Sequence, residues 1–107
     1  MAVTIDGTAN TITATATNGL GVGQTWQAMS TAASPANLQR LANTDYTNST
    51  GKPIMVSITS AGTLQITVGG VIAARSGVDN ATNSLTVIVP AGAIYRCNQA
   101  GTWAELR

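Results

Sequence analysis

The sequence predicts an all-β fold, a small antiparallel β-sandwich or jelly roll. Three observations carry that prediction. Several segments alternate strictly between apolar and polar residues, among them Ile54-Met55-Val56-Ser57-Ile58. Gly, Asn and Pro separate these segments at intervals of about a dozen residues. Threonine alone supplies 17 of the 107 residues, and β-branched side chains suit a pleated surface.

Residues 1–22, MAVTIDGTANTITATATNGLGV, form a compositional unit with no aromatic residue and a single charge, Asp6. Its TITATAT run has a strand pattern but little volume to bury. It reads as a thin edge strand or as a lead-in segment that pairs with neighbouring chains. NGLGVG at 18–23 ends it with turn chemistry. Residues 23–107 are expected to form the sandwich. GQTWQAM at 23–29 is a short strand carrying Trp26. In STAASPANLQRLANTD, Ser34-Pro35 offers a helix cap with proline at the first helical position, and ANLQRLAN has adequate propensity. At about two turns such a helix is marginal, so a loop with one helical turn is expected.

The remainder reads as strands. KPIMVSITS sets Ile54, Val56 and Ile58 on one face, opposite Met55, Ser57 and Thr59. GTLQITVGGVIAA sets Leu64, Ile66 and Val68 opposite Gln65 and Thr67 before passing Gly69-Gly70. NSLTVIVPAGAIYRC sets Leu85, Val87 and Val89 opposite Thr86 and Ile88, and Pro90-Ala91-Gly92 breaks it. GTWAELR follows. Met55 and Ile88 occupy faces expected to be polar, which makes them candidates for a contact with another subunit.

Charged residues are only 8% of the chain and the formal net charge is +1. That balance provides no basic footprint for nucleic acid or an anionic membrane. It also removes the charge speckling that keeps monomers apart, which favours assembly. No apolar run reaches the length of a membrane-spanning helix. The first ten residues lack the basic and apolar regions of a signal peptide, so synthesis in the cytosol is expected.

Catalytic constellations are scarce. Without histidine there is no base for a Ser-His-Asp or Cys-His nucleophile. Lys52 sits in a Gly-Lys-Pro turn. The carboxylates Asp6, Asp45, Asp79 and Glu105 are scattered, although Asp45 and Glu105 from different subunits remain conceivable partners for glycoside chemistry. Cys97 reads as a buried, inert thiol. SGVDNATN, with Asp79, Asn80 and Asn83, lacks the carboxylates of a calcium loop and reads as a turn. The expectation is a non-enzymatic protein with no cofactor and no metal. Recognition then falls to the aromatic residues and their polar neighbours. Tyr46, Asn48, Tyr95, Arg96 and Trp103 are the candidate binding residues, with core or interface packing the preferred alternative for the aromatics.

Three stretches together, GVGQTWQ, YTNSTGKPIMVSI (46–58) and VPAGAIYRC with the closing TWAELR, resemble the C-terminal head domain of bacteriophage and prophage tail fibre (tail spike) proteins. The resemblance covers about residues 20–107. It implies a homotrimeric sandwich or jelly roll at the distal end of a virion fibre, alongside other tail components, contacting a host surface polysaccharide or protein. It would make residues 1–22 the end of a fibre shaft. Relative to that pattern SPANL at 34–38 reads as an insertion, and the upstream shaft is missing, as in a fragment or a free-standing short reading frame. The alternative function within the same setting is a trimerisation or capping module that touches no receptor.

Overall fold

A computed structural model describes residues 2–6, 11–15, 19–31, 38–77 and 81–107, the first two segments as backbone. Among the described residues there are ten strands: β1 (Ala2–Asp6), β2 (Thr11–Thr15), β3 (Trp26–Met29), β4 (Tyr46–Thr47), β5 (Ile54–Ala61), β6 (Gln65–Val68), β7 (Val71–Arg75), β8 (Thr82–Val89), β9 (Ile94–Cys97) and β10 (Thr102–Leu106). They form a two-stranded sheet, β1-β2, and two four-stranded sheets, β3-β10-β5-β8 and β4-β9-β6-β7.

The pairing has a simple logic. β6 pairs with β7, β5 with β8, β4 with β9 and β3 with β10, all antiparallel. These are nested pairs, so strands β3 to β10 make one long two-stranded ribbon. Rolling that ribbon adds the contacts β10-β5 and β6-β9 and distributes the pairs over two sheets. That is a jelly roll, one of the two architectures expected from the sequence. The ribbon turns back at Gly69-Gly70, where both residues have positive φ (59° and 81°) between the paired Val68 and Val71. A two-residue turn of this kind favours glycine at both positions. A register shift between Ile66 and Thr67 leaves Ala73 as the extra residue on β7.

The inner faces carry the residues that the alternation assigns to the core. Ile54, Val56, Ile58, Val87, Val89, Met29 and Trp103 come from the first sheet. Ile66, Tyr95 and Cys97 come from the second, with Leu64 just ahead of β6. Val68 and Leu85 pack at the margin of this core. Cys97 is buried as expected, and that burial pushes its thiol pKa up.

Three details differ from the sequence expectation or fall beyond it. Thr11–Thr15 of TITATAT finds a partner within the chain, pairing with Ala2–Asp6. The propensity of ANLQRLAN does not yield an α-helix over its described part. Instead the backbone of Ser30 bonds Leu38 and Arg40 across a parallel bridge to Gln39, which ties this loop to the end of β3. Ser34-Pro35 and Asp79-Asn80 lie outside the described residues.

Candidate functional site

The alternation of β9 sends Tyr95 and Cys97 inward and Ile94 and Arg96 outward. Pairing of Tyr46 with Tyr95 places Asp45 beside Arg96 on the outer face of the second sheet. Arg96 Nη1 lies 3.3 Å from Asp45 Oδ1, and Arg96 Nη2 donates a 2.7 Å hydrogen bond to the Asn43 carbonyl. Thr67 stands opposite Arg96 on β6. The Gly69-Gly70 turn and Gly92 border the same region, and a Cβ on any of these three glycines would meet nothing within 4 Å. The result is an open groove of about 660 Å³. It has an apolar flank at Ile94, which is exposed, and a paired cation and carboxylate at its polar end. Because the two charges neutralise one another, the groove offers fixed donors and acceptors with little net charge. That chemistry fits a neutral, hydroxyl-rich ligand better than an ion.

A second polar cluster lies inside the sandwich. Glu105 is 0% exposed, and its carboxylate receives five hydrogen bonds. Oε2 accepts from Arg40 Nε (2.9 Å), Tyr95 OH (2.9 Å) and Trp103 Nε1 (3.0 Å). Oε1 accepts from Arg40 Nη2 (3.1 Å) and Arg107 Nη1 (2.8 Å). The Arg40 guanidinium also lies 4.7 Å from the centre of the Tyr46 ring. Burial pushes the Glu105 carboxyl up. The Arg40 hydrogen bonds and charge, helped by Tyr95 and Trp103, outweigh burial and hold it below the usual carboxylate range. Arg40 follows the same logic in reverse: desolvation lowers it, and the bonds and charge of Glu105 leave it raised. Burial, with the adjacent Glu105 charge, pushes the Tyr95 phenol up to about 12.

This arrangement decides where the candidate binding residues fall. Of the five, Arg96 alone presents its side chain in the groove. Tyr95 and Trp103 are buried and donate to Glu105. Tyr46 is half-buried, 6.1 Å from Tyr95 and 6.3 Å from Trp103, and its hydroxyl accepts the Leu41 N–H. Asn48 is buried as a staple. Its amide donates to the carbonyls of Lys52 (2.7 Å), Val89 (3.0 Å) and Pro90 (3.1 Å), while Oδ1 accepts from Thr50. The YTNSTGKP stretch is therefore a structural turn that Asn48 fastens to the β8-β9 connection. Asn48 also begins an Asn-Ser-Thr glycosylation sequon (48–50), but with its side chain buried and its amide so engaged it is closed to modification in the folded chain. The shared Asp45–Glu105 carboxylate site considered from the sequence is not available either, because Glu105 is enclosed and saturated.

Thr67, Gly69, Gly70 and Ile94 were not singled out as groove residues by the sequence, since none announces its role without the β6-β9 pairing. The Glu105 cluster had one legible signal: TWAELR puts Trp103 and Glu105 two residues apart, hence on one strand face. Met55 and Ile88 are direct cross-strand partners on the outer face of the first sheet. Among the described residues no three His, Cys, Asp or Glu side chains gather as a metal site, and no helix is long and apolar enough to cross a membrane. Comparison with protein-family models, curated proteins and solved structures finds no match.

Proposed function

We propose that this chain is a non-enzymatic binding module, the distal head domain of a phage tail fibre. In this reading it assembles as a homotrimer at the virion tip with other tail components and holds a host surface polysaccharide. A jelly roll serves many functions and decides none of them. The observation that carries the proposal is the groove on the second sheet, where Arg96 and Asp45 pair beside Ile94 and a glycine-lined border. Paired, mutually neutralised charges hold directional hydrogen bonds for sugar hydroxyls, and the apolar flank suits the less polar face of a ring. One shallow site of this size binds weakly; three on a rigid head add avidity. The motif resemblance of residues 20–107 to tail fibre heads supplies the biological setting.

The test is a glycan array and whole-cell binding with the intact protein, alongside Arg96→Ala. The Arg96 side chain lies on the outer face and is 42% exposed, so the variant should keep the wild-type circular dichroism and lose glycan binding. Absence of binding by the wild type, or binding untouched by Arg96→Ala, would remove the groove from consideration. A second reading, a trimerisation or capping module without receptor contact, draws on the uncharged outer face of the first sheet. It is separated by the same experiment, since a pure clamp would bind neither glycan nor cells.

A further inference from the structure

On the outer face of the first sheet the register aligns Trp26 with Leu106, Leu106 with Met55, and Met55 with Ile88. These four residues form an unbroken apolar row across all four strands. Trp26 is 52% and Ile88 54% exposed at its two ends. The next row is small, with Ala28, Ala104, Ser57 and Thr86 in register, and beyond it Thr102, Thr59 and Ser84 line up. We propose that this face is where a second copy of the chain docks, apolar row against apolar row. The inference rests on the self-association in the function proposed above and names the surface responsible.

Three observations favour a copy of the chain over another occupant. First, no strand residue of this face is charged. Copies meeting through one shared patch, two across a dyad or three around an axis, set each side chain against the same patch. A charge near the symmetry axis would face its own copy, and one farther out would need an opposite charge in the same patch; this face, carrying neither, raises no such conflict. The opposite sheet, by contrast, carries Arg96, Asp45 and Arg75. Second, four hydroxyls of the face already bond one another: Thr59 and Ser84 lie 2.7 Å apart and Thr86 donates to Ser57 at 3.2 Å. Covering them leaves these hydroxyls with partners, whereas a glycan or a polar peptide would find them already engaged. Third, the size is adequate. The strands of this sheet, with 4, 5, 8 and 8 residues, give a flat footprint on the order of 400 Å²; side-chain relief raises the accessible area above that, towards the roughly 800 Å² per partner of a stable interface. The small middle row lets another sheet approach closely.

The experiment uses the full chain. Sedimentation mass is measured over a range of protein concentrations for wild type, Ile88→Lys, Trp26→Lys and the control Ile72→Lys, which alters an equally exposed residue on the other sheet. Acrylamide quenching follows Trp26, because Trp103 is buried in any state. The wild type should have a mass several times that of one chain and a quench-protected Trp26. Both row variants should fall to the mass of one chain with unchanged circular dichroism, and Ile72→Lys should keep the wild-type mass. A multimer that survives Ile88→Lys and Trp26→Lys overturns this surface and leaves the trimer standing. A wild type of single-chain mass overturns both, and a protected Trp26 in that monomer would mean that the chain covers the face itself.

Discussion

Replacing Glu105 with glutamine changes almost no volume and removes one charge, so it isolates the electrostatics of the buried cluster. Glutamine supplies one acceptor oxygen and one amide. Turned one way, the amide confronts Arg40 Nη2 and Arg107 Nη1; turned the other, it confronts Arg40 Nε, Tyr95 OH and Trp103 Nε1. Either choice sets donor against donor and takes the Glu105 charge away from beside Arg40, which is 5% exposed. Removing one partner of a buried pair costs about 3–5 kcal/mol. A domain of this size has a total stability of about 5–15 kcal/mol. Guanidinium unfolding, followed by tryptophan fluorescence at fixed protein concentration, should show the midpoint falling by about 1 M. Adding Arg40→Met should recover part of that loss, a coupling of about 0.5–3 kcal/mol. A Glu105→Gln shift within about 0.5 kcal/mol, or strictly additive single and double variants, would refute the view that the cluster holds the two sheets together.

Asn48→Ala should cost about 1–3 kcal/mol, since it withdraws the donor from three carbonyls and opens the turn; thermal melts would show the midpoint lower by about 4 °C or more, at about 4–8 °C per kcal/mol. Gly101→Ala looks harmless on an exposed residue. Its Cβ would nevertheless run into the Thr59 carbonyl oxygen and stand 2.8 Å from Ser60 Cβ, and overpacking of this kind costs about 1–3 kcal/mol, readable in the same melts. The pH profile has two edges. At the acid edge the folded pKa of Glu105 is depressed, so its contribution is complete above the unfolded carboxylate value and is lost as pH falls through the folded value. At the alkaline edge Tyr95 is raised to about 12 from 10.0. Its contribution, about 2–3 kcal/mol, is complete below pH 10 and vanishes as pH climbs to about 12. Unfolding midpoints measured across pH 2–12 should trace a plateau with these two declines.

Much of the fold can be read from alternation alone. Ile54, Val56 and Ile58 are fully buried, and so are Leu64, Ile66 and Val89, because a period of two leaves each strand only one face to turn inward. The partners of those strands are less visible. Nothing local in Trp26–Met29 points to residues more than seventy positions later, and β4, at two residues, is too short to show a period. The site was harder for a different reason. Charge normally argues for the surface, so Glu105 and Arg40 are misjudged unless their mutual satisfaction is known. Aromatic residues with polar neighbours resemble a binding surface, yet here Tyr95 and Trp103 are donors to one enclosed carboxylate. The groove is built largely from backbone turns and from Arg96, Asp45 and Ile94, which only the pairing brings together.

The nested ribbon also bears on the order in which the molecule can be assembled. β6 and β7 need only the Gly69-Gly70 turn to meet, whereas β3 and β10 are separated by most of the chain. Taken singly, the outer pairs close long loops, and sandwiches with such distant pairing fold slowly. Nesting shortens each step: once β6-β7 exists, β5 and β8 start close together, and then β4 and β9, so each closure adds a short gap rather than the full separation. A nucleus at the glycine turn would let the structure grow outward as a zipper. β10, bearing Trp103 and Glu105, would arrive last and seal the interior.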